Sequence, residues 1–363
     1  MGSIVGISTK LSRRAALLGL AFGAAAMTLP SAAQAEWPER PITLVVMYGA
    51  GGGTDTVLRT LATEMAKETG WTINVVNKPG AVGGVATSFV LNKASDGYTW
   101  LGAANYNKFV RVMGHSESKA WEDWQYFQAA NSLGSWSVRK DSPFQSFDDI
   151  VAAAKANPGS VSISTSGTGG LWQELAAIVA QAAGIELKYV PYKGGKPATL
   201  AGLQGETDIA GGGVHEHIEF IRSGEMRHIQ QTSDNDIMDD KAGTLSSVGK
   251  HVPGLMGALP LGGIYNLAVK RDAPVDVLQK IEAAFEAAVN SDTFKAVAEQ
   301  KYFTLDFRTG ADADRRAAQV EAITAATFTQ LGIEGAMGPS DIELPDPAEF
   351  DSWWPPEGYE PRL

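Results

Sequence analysis

The chain has 363 residues, of which 44% are hydrophobic, 9% aromatic and 20% charged, the balance of a globular protein long enough for two cores. It contains no cysteine, which excludes disulfides, thiolate nucleophiles, cysteine-ligated metals and a lipid-modified cysteine anchor. A formal charge of −11 argues against nucleic acid and anionic lipid as partners.

Residues 1–35 read as an export signal to be removed. Lys10, Arg13 and Arg14 form a positive n-region, 15–27 is a short apolar run, and Ala33-Gln34-Ala35 supplies small residues before cleavage ahead of Glu36. The run is too short for a good membrane span. "SRRAALL" fits the twin-arginine route or a Sec signal with two arginines. Losing three basic residues and no acidic ones takes the formal charge from −11 to −14. The expected location is the periplasm, and an anionic ligand there must be held by local amides and hydroxyls rather than by a positive field.

Along the mature chain, short apolar runs predict strands at 42–47, 72–76, 98–103, 161–165, 186–190, 207–211 and 263–269. Helical spacing predicts helices at 55–69, 83–93, 146–156, 171–183, 196–204, 215–223, 274–290, 292–299 and 311–330. This alternation implies an α/β fold with mostly parallel sheets.

One local pattern occurs twice. In "VVMYGAGGGTDTVLRTL" a buried strand hands over to a helix through a glycine turn, and "VSISTSGTGGLWQELAAIVAQAAG" repeats the arrangement. Glycines admit positive φ and close ligand approach, and the first amides of a helix lack intrahelical partners and favour negative charge. Either turn alone is as well explained by tight packing. Two copies suggest two similar lobes whose strand ends face one another across an anion-gripping cleft. Lobe 1 is expected at 36–138 and 264–338, lobe 2 at 139–263, and 339–363 reads as an extended tail rich in proline, acid and aromatics, with Trp353 and Trp354 pinned on a lobe.

Catalytic patterns are missing. "GAGGGT" fails the dinucleotide fingerprint because Thr54 stands in place of the third glycine, and no Gly-Lys-Ser/Thr follows to make a P-loop. No G-x-S-x-G elbow is present. His215-Glu216-His217 on a helix would point its imidazoles about 200° apart, so it reads as a solvated face rather than a metal site. Asp55 suits a helix cap, with a ligand hydroxyl, amine or water as its functional alternative. Asn105, at the end of the 98–103 strand, suits carboxylate or hydroxyl recognition. Trp172 is placed either to stack on an aromatic ligand or to pack in the core.

The mature chain resembles the receptors of tripartite tricarboxylate transporters, the Bug-type periplasmic proteins. The matching segments are "WPERPITLVVMYGAGGGTDTVLR", "VVNKPGAVGG" with "ASDGYTWLGA", "VRKDSPFQSFDDIVAAAKANPG" and "VPYKGGKPATLAGLQGETDI", covering roughly residues 37–335. The resemblance implies two Rossmann-like lobes of the periplasmic binding protein type II kind, closing on a small organic carboxylate for delivery to a membrane permease. It implies a monomer with no cofactor, metal or catalytic activity. A sensory receptor feeding a two-component system, or an exported hydrolase, are the alternatives. Carried over residue by residue, the first carboxylate cradle comprises Tyr48, Gly49, Ala50, Gly53, Thr54 and Asp55. The second comprises Ser166, Thr168, Gly169 and Gly170, and Asn105 and Gly212 line the distal end. Two places depart from the family pattern: Gly170 and Gln173 stand where a hydroxyl residue and a histidine are usual, and Met47 and Gly49 replace prolines.

Overall fold

The computed structural model describes residues 1–3 and 36–363. The chain divides into two units, Met1–Glu39 and Arg40–Leu363. The first carries no helix or strand among its described residues, and the export-signal segment 4–35 lies outside them.

The second unit opens with β1 (Ile42–Val46), α1 (Gly53–Thr69), β2 (Ile73–Asn77), α2 (Gly84–Leu91), β3 (Thr99–Ala104), α3 (Lys108–Val112), α4 (Ala120–Asp123) and β4 (Trp124–Asn131). It continues through β5 (Gly134–Arg139), α5 (Phe147–Ala156), β6 (Ser162–Thr165), α6 (Leu171–Ala183), β7 (Lys188–Pro191), α7 (Gly195–Gln204), β8 (Ile209–Gly213), α8 (Val214–Arg222) and β9 (Met226–Gln231). A small hairpin, β10 (Ile237–Asp239) and β11 (Gly243–Leu245), precedes β12 (Ile264–Lys270), α9 (Val275–Val289), α10 (Asp292–Lys301), β13 (Thr304–Arg308), α11 (Gly310–Leu331) and α12 (Phe350–Trp353).

Two sheets organise these elements. The first runs β13-β4-β12-β3-β1-β2 and the second β7-β6-β8-β5-β9. Ile42, Leu44, Val45 and Val46 of β1 are almost wholly buried, as a strand covered on both faces requires. In α1 the side chains at helical spacing, Val57, Leu58, Leu61 and Met65, are the buried ones. That helix stops at Gly70, whose φ of 74° lets its N–H close on Ala66 O. In the second lobe Val138, Phe147, Ile163, Val179 and Ile209 share a core.

Every predicted strand and helix is present within two residues of its expected ends. The expected parallel character is corrected. Among the described residues only β1 with β2 and β3, and β6 with β7 and β8, are parallel; β12 runs antiparallel to β3 and β4, and β5 antiparallel to β8 and β9. The antiparallel strands β4 and β5, either side of the first crossing, were not predicted, because polar residues break their apolar runs. Gln125 and Gln128 are buried in β4 all the same, and Gln128 meets Tyr106 Oη at 2.6 Å and Asp306 at 2.7 Å. Because β5 belongs to the second sheet, the first crossing falls between Asn131 and Gly134. The expected boundary at residue 138 had assigned that strand to the first lobe.

Candidate functional site

Four strand ends feed one cleft. β1 leads into the glycine loop before α1, β3 into Asn105, β6 into Ser166 and β8 into the start of α8. A cavity lies among them. Tyr48, Gly49, Gly53, Thr54, Asn105 and Ser166 line it, together with Trp172, His215, Glu216 and Tyr265.

The glycine loop is held from behind. Asp55 Oδ2 accepts the Gly51 N–H at 3.0 Å, while Oδ1 takes Arg59 Nη2 at 2.6 Å and Asn77 Nδ2 at 2.8 Å. Burial pushes the Asp55 carboxyl up, but these bonds outweigh it and hold it below the ordinary carboxylate value. Asn77 also donates to Tyr48 O at 2.9 Å, so one polar knot fixes both ends of the loop. Gly53 is required by close approach, since a Cβ there would run into Tyr265 Oη and His215 Nε2.

Asn105 follows β3 with φ of 55°, and Tyr106 and Asn107 continue at 51° and 63°. Three consecutive non-glycine residues in the left-handed region store strain of a kind found at functional sites. The Asn105 side-chain oxygen accepts the Ile264 N–H at 2.9 Å, which leaves its NH2 as the remaining donor.

The start of α8 brings the largest departure from expectation. His215, Glu216 and His217 are 7%, 8% and 0% exposed, so this is not a solvated face. The helix places the two imidazoles apart, as their spacing predicts. His215 Nε2 lies 3.2 Å from Tyr265 Oη, and His217 Nδ1 lies 3.2 Å from Ser135 Oγ and 3.1 Å from Ser137 Oγ. Burial drives both down to about 3, so both are neutral. Among the described residues no group of three or more potential ligands could hold a metal ion.

Glu216 sits in the cradle that the sequence marks for an external anion. Its Oε2 accepts the Gly213 N–H at 3.0 Å, with the Gly53 amide and the Trp172 indole as further donors. Burial pushes the carboxyl up to about 7 against the pull of those donors. A Cβ at Gly195, the first residue of α7, would collide with this carboxylate, so α7 also starts against it.

Six of the expected contact residues do not line the cavity. Asp55 is tied into the knot, and Ala50 and Thr168 are exposed. Gly169 donates its N–H to Gln173 Oε1 at 2.8 Å and packs on Met113, so that amide is already committed. Gly170 caps α6 and Gly212 lies within β8. Sequence reading missed His215, Glu216 and Tyr265. Glu216 accepts the N–H of the N-cap residue Gly213, the half of a capping box that a glycine allows, so the sequence carries no full capping signal there.

Two sheets presenting helix starts across a shared cleft make this a two-lobed periplasmic binding protein fold. BugD superposes with a TM-score of 0.72 at 22% identity, covering 82% of this chain and 99% of BugD. Rpa4515 of R. palustris, solved with adipate, gives 0.73 at 22%, covering 82% and 99%. In sequence, a Cupriavidus necator protein from the gbd 5' region is 28% identical over 281 residues, 76% of this chain and 82% of that protein. The tripartite tricarboxylate transporter receptor model matches residues 57–315, and the chain belongs to that family of Bug-type receptors.

Proposed function

We propose that this chain is a periplasmic solute receptor that captures a small organic carboxylate between its lobes and hands it to a tripartite tricarboxylate-type membrane permease. The observation that carries this reading is the convergence of both glycine-containing turns, through Tyr48, Gly53, Thr54 and Ser166, on one cleft. Asn105 and the hydroxyls of Thr54 and Ser166 are the side-chain donors for the ligand carboxylate, the Tyr48 hydroxyl being given to Val82 O at 3.2 Å. The lobes comprise residues up to 131 with 264–338, and 134–263, and the protein works as a single copy after loss of residues 1–35. Among the described residues no helix is long and apolar enough to cross a membrane.

Closure is the working step. The bonds of Glu216 to Gly53 and of His215 to Tyr265 span the cleft, so they form only when the lobes meet. A ligand touching both turns therefore shifts the open–closed equilibrium toward the closed form.

The test is thermal unfolding of the mature chain against mono-, di- and tricarboxylates, aromatic acids, sugars and cations. A ligand at a hundred times its dissociation constant adds about 2.7 kcal/mol to stability. Stabilisation by one or more carboxylates, with sugars and cations silent, is expected. A response to sugars or cations alone would overturn the reading.

A further inference from the structure

The cleft is short of positive charge. None of its lining residues is lysine or arginine, whereas Glu216 is there, 8% exposed. A cation acting on that carboxylate, Lys196, is not among the lining residues and holds its ammonium over the Phe220 ring at 4.7 Å. His215, whose Nε2 lies 3.8 Å from Glu216 Oε1, is neutral and adds no positive charge. A dicarboxylate here would put three carboxylates into one cavity with no lining cation to offset them.

Glu216 keeps room for one more partner. An ionised carboxylate offers about four lone-pair sites. Gly213, Gly53 and Trp172 supply three donors, His215 Nε2 stands 3.8 Å from Oε1, and Glu216 lines the cavity, so one site is left for a ligand. Trp172, Tyr48 and Tyr265 border the same space, and aromatic faces favour a cation over an anion. The acidic chain points the same way.

We infer that Glu216 is the specificity-determining residue of this receptor: its carboxylate accepts an N–H from the ligand and so selects a monocarboxylate carrying an ammonium group over a di- or tricarboxylate. This rests on the carboxylate-receptor reading and narrows it. Asn105 and the hydroxyls hold the ligand carboxylate, and Glu216 holds its other end.

Calorimetric titration with matched pairs tests this on the full mature chain. Each pair has equal length, with an ω-amino acid set against the dicarboxylate: 4-aminobutanoate and succinate, 5-aminopentanoate and glutarate, 6-aminohexanoate and adipate. Short α-amino monocarboxylates complete the set. The ammonium-bearing member should bind roughly tenfold or more tighter, the scale of one charge-assisted hydrogen bond. Glu216→Gln should lose that preference and gain affinity for the dicarboxylate. Glu216→Asp, which keeps the charge but withdraws it by one methylene, should weaken the amino acid without reversing the order. It serves if the glutamine variant does not fold. Tighter dicarboxylate binding, or equal binding of both members by the parent, would overturn the role of Glu216 and leave the receptor reading standing. Failure of every carboxylate to bind the folded parent would overturn both.

Discussion

Lys108 Nζ of α3 lies 3.0 Å from Glu174 Oε2 of α6, so a buried ion pair crosses from the first lobe to the second. Thr324 of α11 adds its hydroxyl to the other carboxylate oxygen at 2.6 Å. Opening the lobes returns both charges to water, so breaking the pair costs most in the closed form. Lys108→Ala leaves a buried carboxylate with only the hydroxyl, a loss of about 3 kcal/mol or more. Ligand affinity measured by calorimetry should fall about a hundredfold, and Lys108→Ala/Glu174→Ala should recover part of it. Equal losses in the single and double variants would show that the pairing is not what holds the lobes together.

Gly53 and Asp55 are two residues apart and should answer mutation differently. Gly53→Ala drives a methyl into Tyr265 of its own lobe and into His215 across the cleft, so binding should be lost and stability in urea unfolding should fall as well. Asp55→Asn weakens the knot with Arg59 and Asn77 behind the loop. It should cost about 1–3 kcal/mol in urea unfolding and leave the rank order of ligands unchanged. A changed rank order would return Asp55 to the ligand.

The parts of the fold legible in the sequence are those whose burial follows a simple period. β1, α1, β6 and α6 read correctly because their apolar residues face a covering layer. β4, with Gln125 and Gln128 buried, and β5, with Ser135 and Ser137 buried, did not, because their polar groups are satisfied by partners far away in the chain. The site divides in the same way. Tyr48, Gly53 and Ser166 were legible because glycine-rich turns after strands announce themselves. Glu216 reaches the cavity from α8 and Tyr265 from β12 beside β3, and nothing local in either segment marks that they share one space. His215 and His217 were misread because an H-x-H helix start looks like surface until the strands packed around it are known.

Stability should depend on pH through the same cleft. The folded Glu216 carboxyl is pushed up to about 7 by burial, whereas the unfolded group ionises near its ordinary value of 4.5. Between those values the folded state holds more protons, so this contribution to stability falls as pH rises through the window and stays lost above it. Its full size is on the order of 3 kcal/mol. His215, His217 and His228, driven down by burial to about 3, 3 and 4, act oppositely: their contribution is lost as pH falls below 6.5. Comparing the parent with Glu216→Gln isolates the carboxyl. The two should be similar near pH 4 in urea unfolding, and the glutamine variant should be the more stable at pH 8. A difference independent of pH would mean that the folded carboxyl ionises at its ordinary value.

The C-terminal segment beyond the matched family region is packed rather than trailing. Phe350 is 2% exposed, its ring stacked on Trp354 at 6.0 Å and 5.8 Å from Trp353. Both tryptophans meet Trp121 edge-on, at 6.3 Å and 5.8 Å. Further on, Tyr359 Oη reaches Asp314 at 2.9 Å beside the Arg271–Asp314 pair at 2.8 Å, and Arg271 also donates to Glu360 O at 2.8 Å. None of these residues lines the cleft between the lobes. Phe350→Ala should therefore cost about 3–5 kcal/mol, the price of removing a buried aromatic ring. Ligand affinity by calorimetry should stay within about twofold, far less than the tenfold that 1.4 kcal/mol would produce. Unchanged stability would show that the segment does not brace the first lobe, and a large loss of affinity with intact stability would tie it to closure instead.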